Sequence, residues 1–335
     1  MTRVVFTCGD VNGIGPEIAI KAFSKILTKK NTDQLIFICP KNVFEFYYKS
    51  LEFKFRFKFV SKQNELFSGS HLNIVELKNV KTAFGKPTKE SGKTSFDSII
   101  TAIELIKNNL ADVLVTAPIS KEAFKLAKIN FPGHTELLAS SENEKNFLMM
   151  FLSEQINAAL LTIHEPIKKV SSQITKEKIY RAVSLLDKTA KQELGISNPK
   201  IAALGLNPHA GESGLIGKEE ERVIKPAIKF LKKKFNVDGP FVPDAFWGNK
   251  IFKNYDLILG MYHDQILIPF KLLNFASGVN FTAGLKIIRT SPDHGTAYDI
   301  AGKNKADISS LMQAYYYAIK IFKNRLKYCD GVKAG

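Results

Sequence analysis

Three histidines carry the sharpest chemical pattern in the chain. His164 ends the stretch AALLTIH, His209 follows IAALGLNP and His263 ends DLILGMYH, so each stands just after a short apolar run of strand character. In open α/β sheets ligands sit outside the carboxyl ends of strands, and three convergent imidazoles with one open position can hold a divalent metal that polarises a substrate oxygen. A lone buried histidine is usually structural; three at equivalent topological places favour a shared site. Asp264, directly after His263, and Asp244 in VPDAFW are candidate orienting or acid/base groups, although each taken alone reads equally as a surface-loop carboxylate.

A second set of residues suits an anion. His134 and Thr135 in PGHTE can donate to one, with helix capping by Thr135 as the plainer alternative. Lys271, Asn280 and Arg289 offer a point charge, an amide and a bidentate fork, a combination suited to phosphate or carboxylate. The loop HGTAYDIAGK can run its backbone close to a ligand, with Asp299 available to a ribose hydroxyl; the alternative is a set of turns before a helix. In GDVNGIGPE, residues 9–17, a strand leads through glycines into a helix, a junction whose amides can bind an anion. Its spacing fits neither the dinucleotide fingerprint nor the Walker pattern, which favours a tight turn. In TAPISK, Ser120 as a helix cap and Lys121 as a ligand-facing cation are evenly matched.

The elements that must position these residues alternate. VVFTC, LIFIC, DVLVTA, AALLTI, IAALGL and DLILGMY are short apolar runs, separated by segments of helical character such as PEIAIKAFSKIL and TKEKIYRAVSLLDKTAKQEL. Strand–helix repetition implies an α/β protein with largely parallel sheets, because parallel strands need helical crossovers. A chain of 335 residues exceeds one growing core, so two α/β/α domains are expected: residues 1–130 with 305–335, and residues 131–304.

Composition narrows the partners. Cys8, Cys39 and Cys329 are odd in number and without CxxC spacing, which reads as reduced thiols and argues against a cysteine metal site. No signal-peptide core and no apolar run approaching a membrane span is visible, so a cytoplasmic enzyme without membrane attachment is expected. The formal charge of +16 is spread over almost every segment, which argues against nucleic acid as partner and favours a small phosphorylated or carboxylated substrate. LEFKFRFKFV, residues 51–60, alternates aromatic and basic positions as a half-buried strand with a solvated basic face does.

Taken together, GDVNGIGPE, TAPISK, PGHTE, MYHDQ, GVN and RTSPDHGTAYDIAGK resemble, in order and spacing, the 4-hydroxythreonine-4-phosphate dehydrogenase family of the pyridoxal phosphate pathway, from residue 4 to about residue 310. The resemblance implies an isocitrate/isopropylmalate dehydrogenase-like fold with its active site in the interdomain cleft. It implies a homodimer whose active site lies at the interface, and one divalent metal per subunit (zinc, magnesium or cobalt) on His164, His209 and His263. It further implies NAD or NADP as cofactor, contacted by His294, Gly295, Thr296 and Asp299, and a phosphorylated substrate held by His134, Thr135, Lys271, Asn280 and Arg289. The implied reaction is oxidation of 4-phosphohydroxy-L-threonine followed by decarboxylation to 3-amino-2-oxopropyl phosphate. Val11 and Asn12 stand where many members have a proline, and Ile266 replaces a frequent glycine; neither removes a functional side chain. The rival readings are a paralogue acting on erythronate or threonate 4-phosphate and, from another class, a metal-dependent hydrolase or acyl-phosphate transferase.

Overall fold

A computed structural model of the chain describes residues 1–27, 32–61, 65, 66 and 71–333. It divides into two compact units, Met1–Glu144 with Leu285–Phe322, and Lys145–Gly284 with Lys323–Gly335.

The first unit opens with β1 (Arg3–Thr7), α1 (Gly15–Ile26), β2 (Gln34–Pro40), α2 (Lys41–Ser50), β3 (Lys58–Val60), β4 (Leu72–Leu77), α3 (Lys89–Lys107), β5 (Val113–Val115), α4 (Lys121–Leu126) and α5 (His134–Ser141). The chain then builds the second unit from β6 (Leu148–Leu152), β7 (Asn157–Leu160), α6 (Ile167–Gln173), α7 (Lys176–Thr189), β8 (Ile201–Leu204), α8 (Lys225–Leu231), β9 (Val237–Phe241), α9 (Pro243–Gly248), β10 (Leu257–Gly260), α10 (His263–Asn274) and β11 (Val279–Ala283). It returns to the first unit with β12 (Arg289–Pro292) and ends in α11 (Ser309–Lys333), whose last residues belong to the second unit.

In the first unit the strands run β3-β4-β2-β1-β5-β12, every neighbouring pair parallel. The central strands are buried on both faces, which is why VVFT and LIFIC read as continuous apolar runs rather than alternating ones. Helix starts follow local chemistry: Thr88 and Ser91 form a reciprocal capping box ahead of α3, and Ser120 accepts from the Ala123 amide ahead of α4. In the second unit the order is β11-β6-β7-β10-β8-β9, with β11–β6 and β6–β7 antiparallel and the rest parallel. All six expected strands are present in this α/β architecture.

Two expectations differ from what is observed. The division between units falls at residues 144, 284 and 322 rather than at 130 and 304, because α5 and β12 pack with the first unit; β12 extends the first sheet by pairing with β5. Of residues 51–60, only Lys58–Val60 form ladder bonds, to β4 at the sheet edge. The alternation nevertheless holds: Phe53, Phe55 and Phe57 are half-buried while Lys54 and Arg56 are exposed. Among the described residues, no helix is long and apolar enough to cross a membrane.

Candidate active site

In the second unit β7, β10 and β8 are consecutive neighbours, and His164, His263 and His209 follow their carboxyl ends in that same spatial order. The His164 and His263 rings lie beside each other, centroids 5.8 Å apart and planes tilted by 42°. They border a cleft of about 330 Å³, lined also by Ile163, Pro166, Ile167 and Tyr262. His263 begins α10, and its Nδ1 lies 2.6 Å from Asp264 Oδ1. A carboxylate on one ring nitrogen fixes the tautomer and turns the other nitrogen's lone pair outward, as a metal-ligating histidine requires.

His209 lies in a different local structure. Residues 209–213 all take positive φ, including His209 (53°), Ala210 (49°), Glu212 (42°) and Ser213 (57°), a left-handed turn that side-chain-bearing residues adopt only under constraint. The constraint is Glu220, which is fully buried and accepts from the amides of Leu206 (2.7 Å) and Asn207 (2.8 Å) and from Asn207 Nδ2 (2.8 Å). Gln265 joins the neighbouring strand ends: its Oε1 accepts from Met261 N at 2.7 Å and its Nε2 donates to Gly205 O at 2.6 Å. Neither residue stood out in the sequence, although Gln265 lies two positions after His263 and Glu220 closes the glycine-rich stretch after His209. Among the described residues, no three His, Cys, Asp or Glu side chains gather as a metal-holding group. Of the three histidines, His164 and His263 are in ring contact. Asp244 is exposed in the first turn of α9, which packs beside the His209 turn. Lys271 lies in the last turn of α10, and Asn280 stands on β11 opposite Phe151 of β6.

The first unit holds the other cluster. His134 opens α5 behind Gly133, so Thr135 stands inside the helix and is not its cap. Arg289 starts β12, is 3% exposed, and its Nε donates to Thr116 Oγ1 at 2.9 Å. Burial pushes its guanidinium down to about 9, with Glu136 pulling the other way. Burial, aided by the Arg289 charge, holds His134 well below its ordinary range, so the ring is neutral at pH 7. Its Nε2 is buried without a hydrogen-bond partner. A buried cation beside a neutral imidazole with an unused nitrogen is suited to an anionic substrate group.

The glycine turn is a fitting for other loops rather than an anion cradle. The amides of residues 10, 12, 13 and 14 are taken by Pro118 O, Asp10 Oδ1, Asp10 O and Thr296 O. A Cβ at Gly13 would come 2.7 Å from Thr296 O, and one at Gly9 (φ 64°) 2.3 Å from Pro118 O. Asp10 accepts from Ser91 Oγ (3.0 Å) and Tyr298 OH (2.9 Å). Its carboxyl is raised by burial, which those hydrogen bonds oppose. Asn12 is likewise internal, with Oδ1 on the Ala83 amide and Nδ2 on Lys86 O. His294, Gly295, Thr296 and Asp299 follow β12 on one loop; Gly295 and Asp299 are exposed, and His294 Nδ1 lies 3.1 Å from Gly295 O. Ser120 serves as a helix cap, and Lys121 is exposed.

Residues 30–318 match the family described as pyridoxal phosphate biosynthetic protein PdxA. A 4-hydroxythreonine-4-phosphate dehydrogenase of Bacteroides thetaiotaomicron is 41% identical over 96% of this chain and 89% of its own length. An Oceanobacillus iheyensis protein named provisionally as a D-threonate 4-phosphate dehydrogenase is 35% identical over 94% of this chain and 96% of its own. The crystal structure of a 4-hydroxythreonine-4-phosphate dehydrogenase from Klebsiella pneumoniae superposes with a TM-score of 0.82 at 31% identity, covering 96% of this chain and all of that one.

Proposed function

This chain belongs to the PdxA family, and we propose on that footing that it oxidises the C3 hydroxyl of 4-phosphohydroxy-L-threonine with NAD or NADP as acceptor. The observation that carries the reading is the family match over residues 30–318 in a chain whose own buried His134–Arg289 pair suits a phosphorylated substrate. In the reaction the C3–H bond gives its hydride to the nicotinamide and the hydroxyl gives up its proton, leaving 2-amino-3-oxo-4-phosphohydroxybutanoate. Its carboxylate lies beta to the new ketone, so loss of carbon dioxide and gain of a proton yield 3-amino-2-oxopropyl phosphate.

The residues divide the labour. Arg289, His134, Thr135, Lys271 and Asn280 bind and orient the anionic and polar ends of the substrate. His164 and His263 fit a divalent cation by donor chemistry and by the Asp264 contact that exposes the second ring nitrogen of His263. Zinc, magnesium or cobalt there would supply the positive charge that favours ionisation of a nearby hydroxyl. In the homodimer that the family resemblance implies, His209 joins His164 and His263 in a site shared between two copies. An apolar stripe supports such a contact: Ile268 and Leu272 on α10 and Phe275 just past its end are 58%, 81% and 81% exposed, and Leu215, beside the His209 turn, is 82% exposed. His294, Gly295, Thr296 and Asp299 face the adenosine part of the cofactor, and Asp244 and Asp264 are the acid/base and orienting carboxylates. We place the enzyme in the cytoplasm, on small-molecule substrate and without nucleic-acid partner.

The test is the rate of cofactor reduction with 4-phosphohydroxy-L-threonine before chelation, after it and after metal restoration, joined to mixing of His209→Ala and His263→Ala subunits. The reading requires loss and recovery of activity with metal, and partial recovery in the mixed dimers; activity indifferent to chelation would remove the metal assignment. A second reading, oxidation of a four-carbon sugar acid 4-phosphate, draws support from the similarity to the Oceanobacillus protein.

A further inference from the structure

We infer that Glu17 and Lys21 of α1 are positioning residues, a latch that sets the far end of the 294–306 loop and thereby the nucleotide end of the cofactor; this rests on the proposed NAD(P)-linked function. The two lie one helical turn apart, and an ordinary pair of that spacing on an exposed helix contributes only about 0.3–0.5 kcal/mol. This pair is placed differently. Glu17 is fully buried, and its Oε1 accepts both from Lys21 Nζ (2.8 Å) and from the Ala306 amide (2.9 Å). Lys21 Nζ also donates to Asn304 O and Ala306 O, each at 3.1 Å. One ammonium and one carboxylate thus engage both the donor and the acceptor of the Ala306 backbone.

The loop needs such a hold. Between β12 and α11 it is made of turns, with Ala297 (φ 44°), Gly302 (72°) and Asn304 (58°) in the left-handed region. Its near end is fixed by the Ile14 amide on Thr296 O (3.0 Å) and its middle by Tyr298 OH on Asp10 (2.9 Å). Glu17 and Lys21 supply the third fixed point, leaving Asp299, Gly302 and Lys303 exposed between the anchors. All three anchors come from residues 10–21, so the glycine turn and α1 act as the base plate of the cofactor loop. A loop ordered before the ligand arrives binds more tightly, since the ordering cost is met on folding. Glu17 Oε2 has no hydrogen-bond partner, and Tyr47, whose phenol is raised by burial and then by the Glu17 charge, lies behind it.

The experiment compares unaltered protein, Lys21→Met, Lys21→Arg and Glu17→Gln for direct NAD and NADP binding by calorimetry, for both KM values and for hydrogen exchange of residues 294–306. Lys21→Met is expected to weaken cofactor binding about tenfold, equivalent to about 1.4 kcal/mol. It should speed exchange in the loop while the KM for the phosphorylated substrate moves less than about twofold. Lys21→Arg, which keeps the donors, should recover most of the loss. Because Lys21 keeps part of its side chain in water, its variants remain informative even where Glu17→Gln does not fold. Cofactor binding unchanged in Lys21→Met, or both KM values rising together, would overturn the latch. Failure of the unaltered protein to bind either nucleotide would instead overturn the proposed function, and the latch with it.

Discussion

Glu220→Ala is expected to release the His209 turn without touching a histidine. The lost carboxylate accepts three hydrogen bonds, two of them from the backbone amides of Leu206 and Asn207. Stranding a buried donor costs about 1–3 kcal/mol; both amides are only partly buried, so each falls toward the lower end and the two together cost about 2–4 kcal/mol if the loop stays in place. Against staying in place stand four non-glycine residues in left-handed conformation, each worth roughly 1 kcal/mol or more of local strain. The two terms are similar in size and act in the same direction, so the turn should open locally while β8, buried throughout, stays closed. Amide exchange over residues 206–214 should then rise by at least about tenfold, with residues 201–204 unaffected. Glu220→Gln keeps one oxygen for the two amides and should show a smaller rise. Exchange over 206–214 that matches the unaltered protein would refute the reasoning, since it would mean that the turn holds its conformation without the carboxylate.

Three further outcomes follow from the same geometry. His134 has a folded pKa below its unfolded value near 6.5, so its contribution is complete above that pH; below it the unfolded chain binds the extra proton and stability falls by about 1.4 kcal/mol per pH unit until the folded pKa is reached. Urea midpoints across pH 5–7 should show this slope, and His134→Gln should flatten it. Asp264→Asn should weaken zinc binding about 10–100-fold by calorimetry, because it loosens the His263 ring without removing a ligand. Arg325→Ala should cost about 2–3 kcal/mol in urea unfolding, somewhat under the loss for a fully buried pair. It leaves Glu193, 7% exposed by side chain and raised by burial, without the guanidinium that bonds it at 2.5 and 3.1 Å, while Arg325 itself keeps 21% of its side-chain surface in water.

The features legible in the sequence are those set by local pattern. Apolar runs such as LIFIC mark strands buried on both faces, and the Thr88 and Ser120 caps mark helix starts. The order of β7, β10 and β8 in the sheet brings His164, His263 and His209 to the same end of one sheet, as the strand-end rule anticipates. Long-range pairings were less visible. Nothing local announces that β12 returns to pair with β5, which draws Arg289 and the loop after β12 into the unit of α1 and leaves residue 304 a poor boundary. Nor does spacing reveal Glu220 or Gln265, whose importance comes from the backbone groups of other segments that they bond. The glycine turn is part local and part not: two of its amides are taken by its own Asp10, whereas those of Asp10 and Ile14 meet Pro118 and Thr296 only once two distant loops have come against it.

The central claim is the reaction itself, and its most direct test is formation of reduced cofactor with 4-phosphohydroxy-L-threonine and, in parallel, with erythronate or D-threonate 4-phosphate, on metal-loaded protein with NAD and with NADP. Reduction is expected with the threonine phosphate, matched by 3-amino-2-oxopropyl phosphate in the product mixture. Reduction with the sugar-acid phosphates alone, or with none of these substrates, would contradict it.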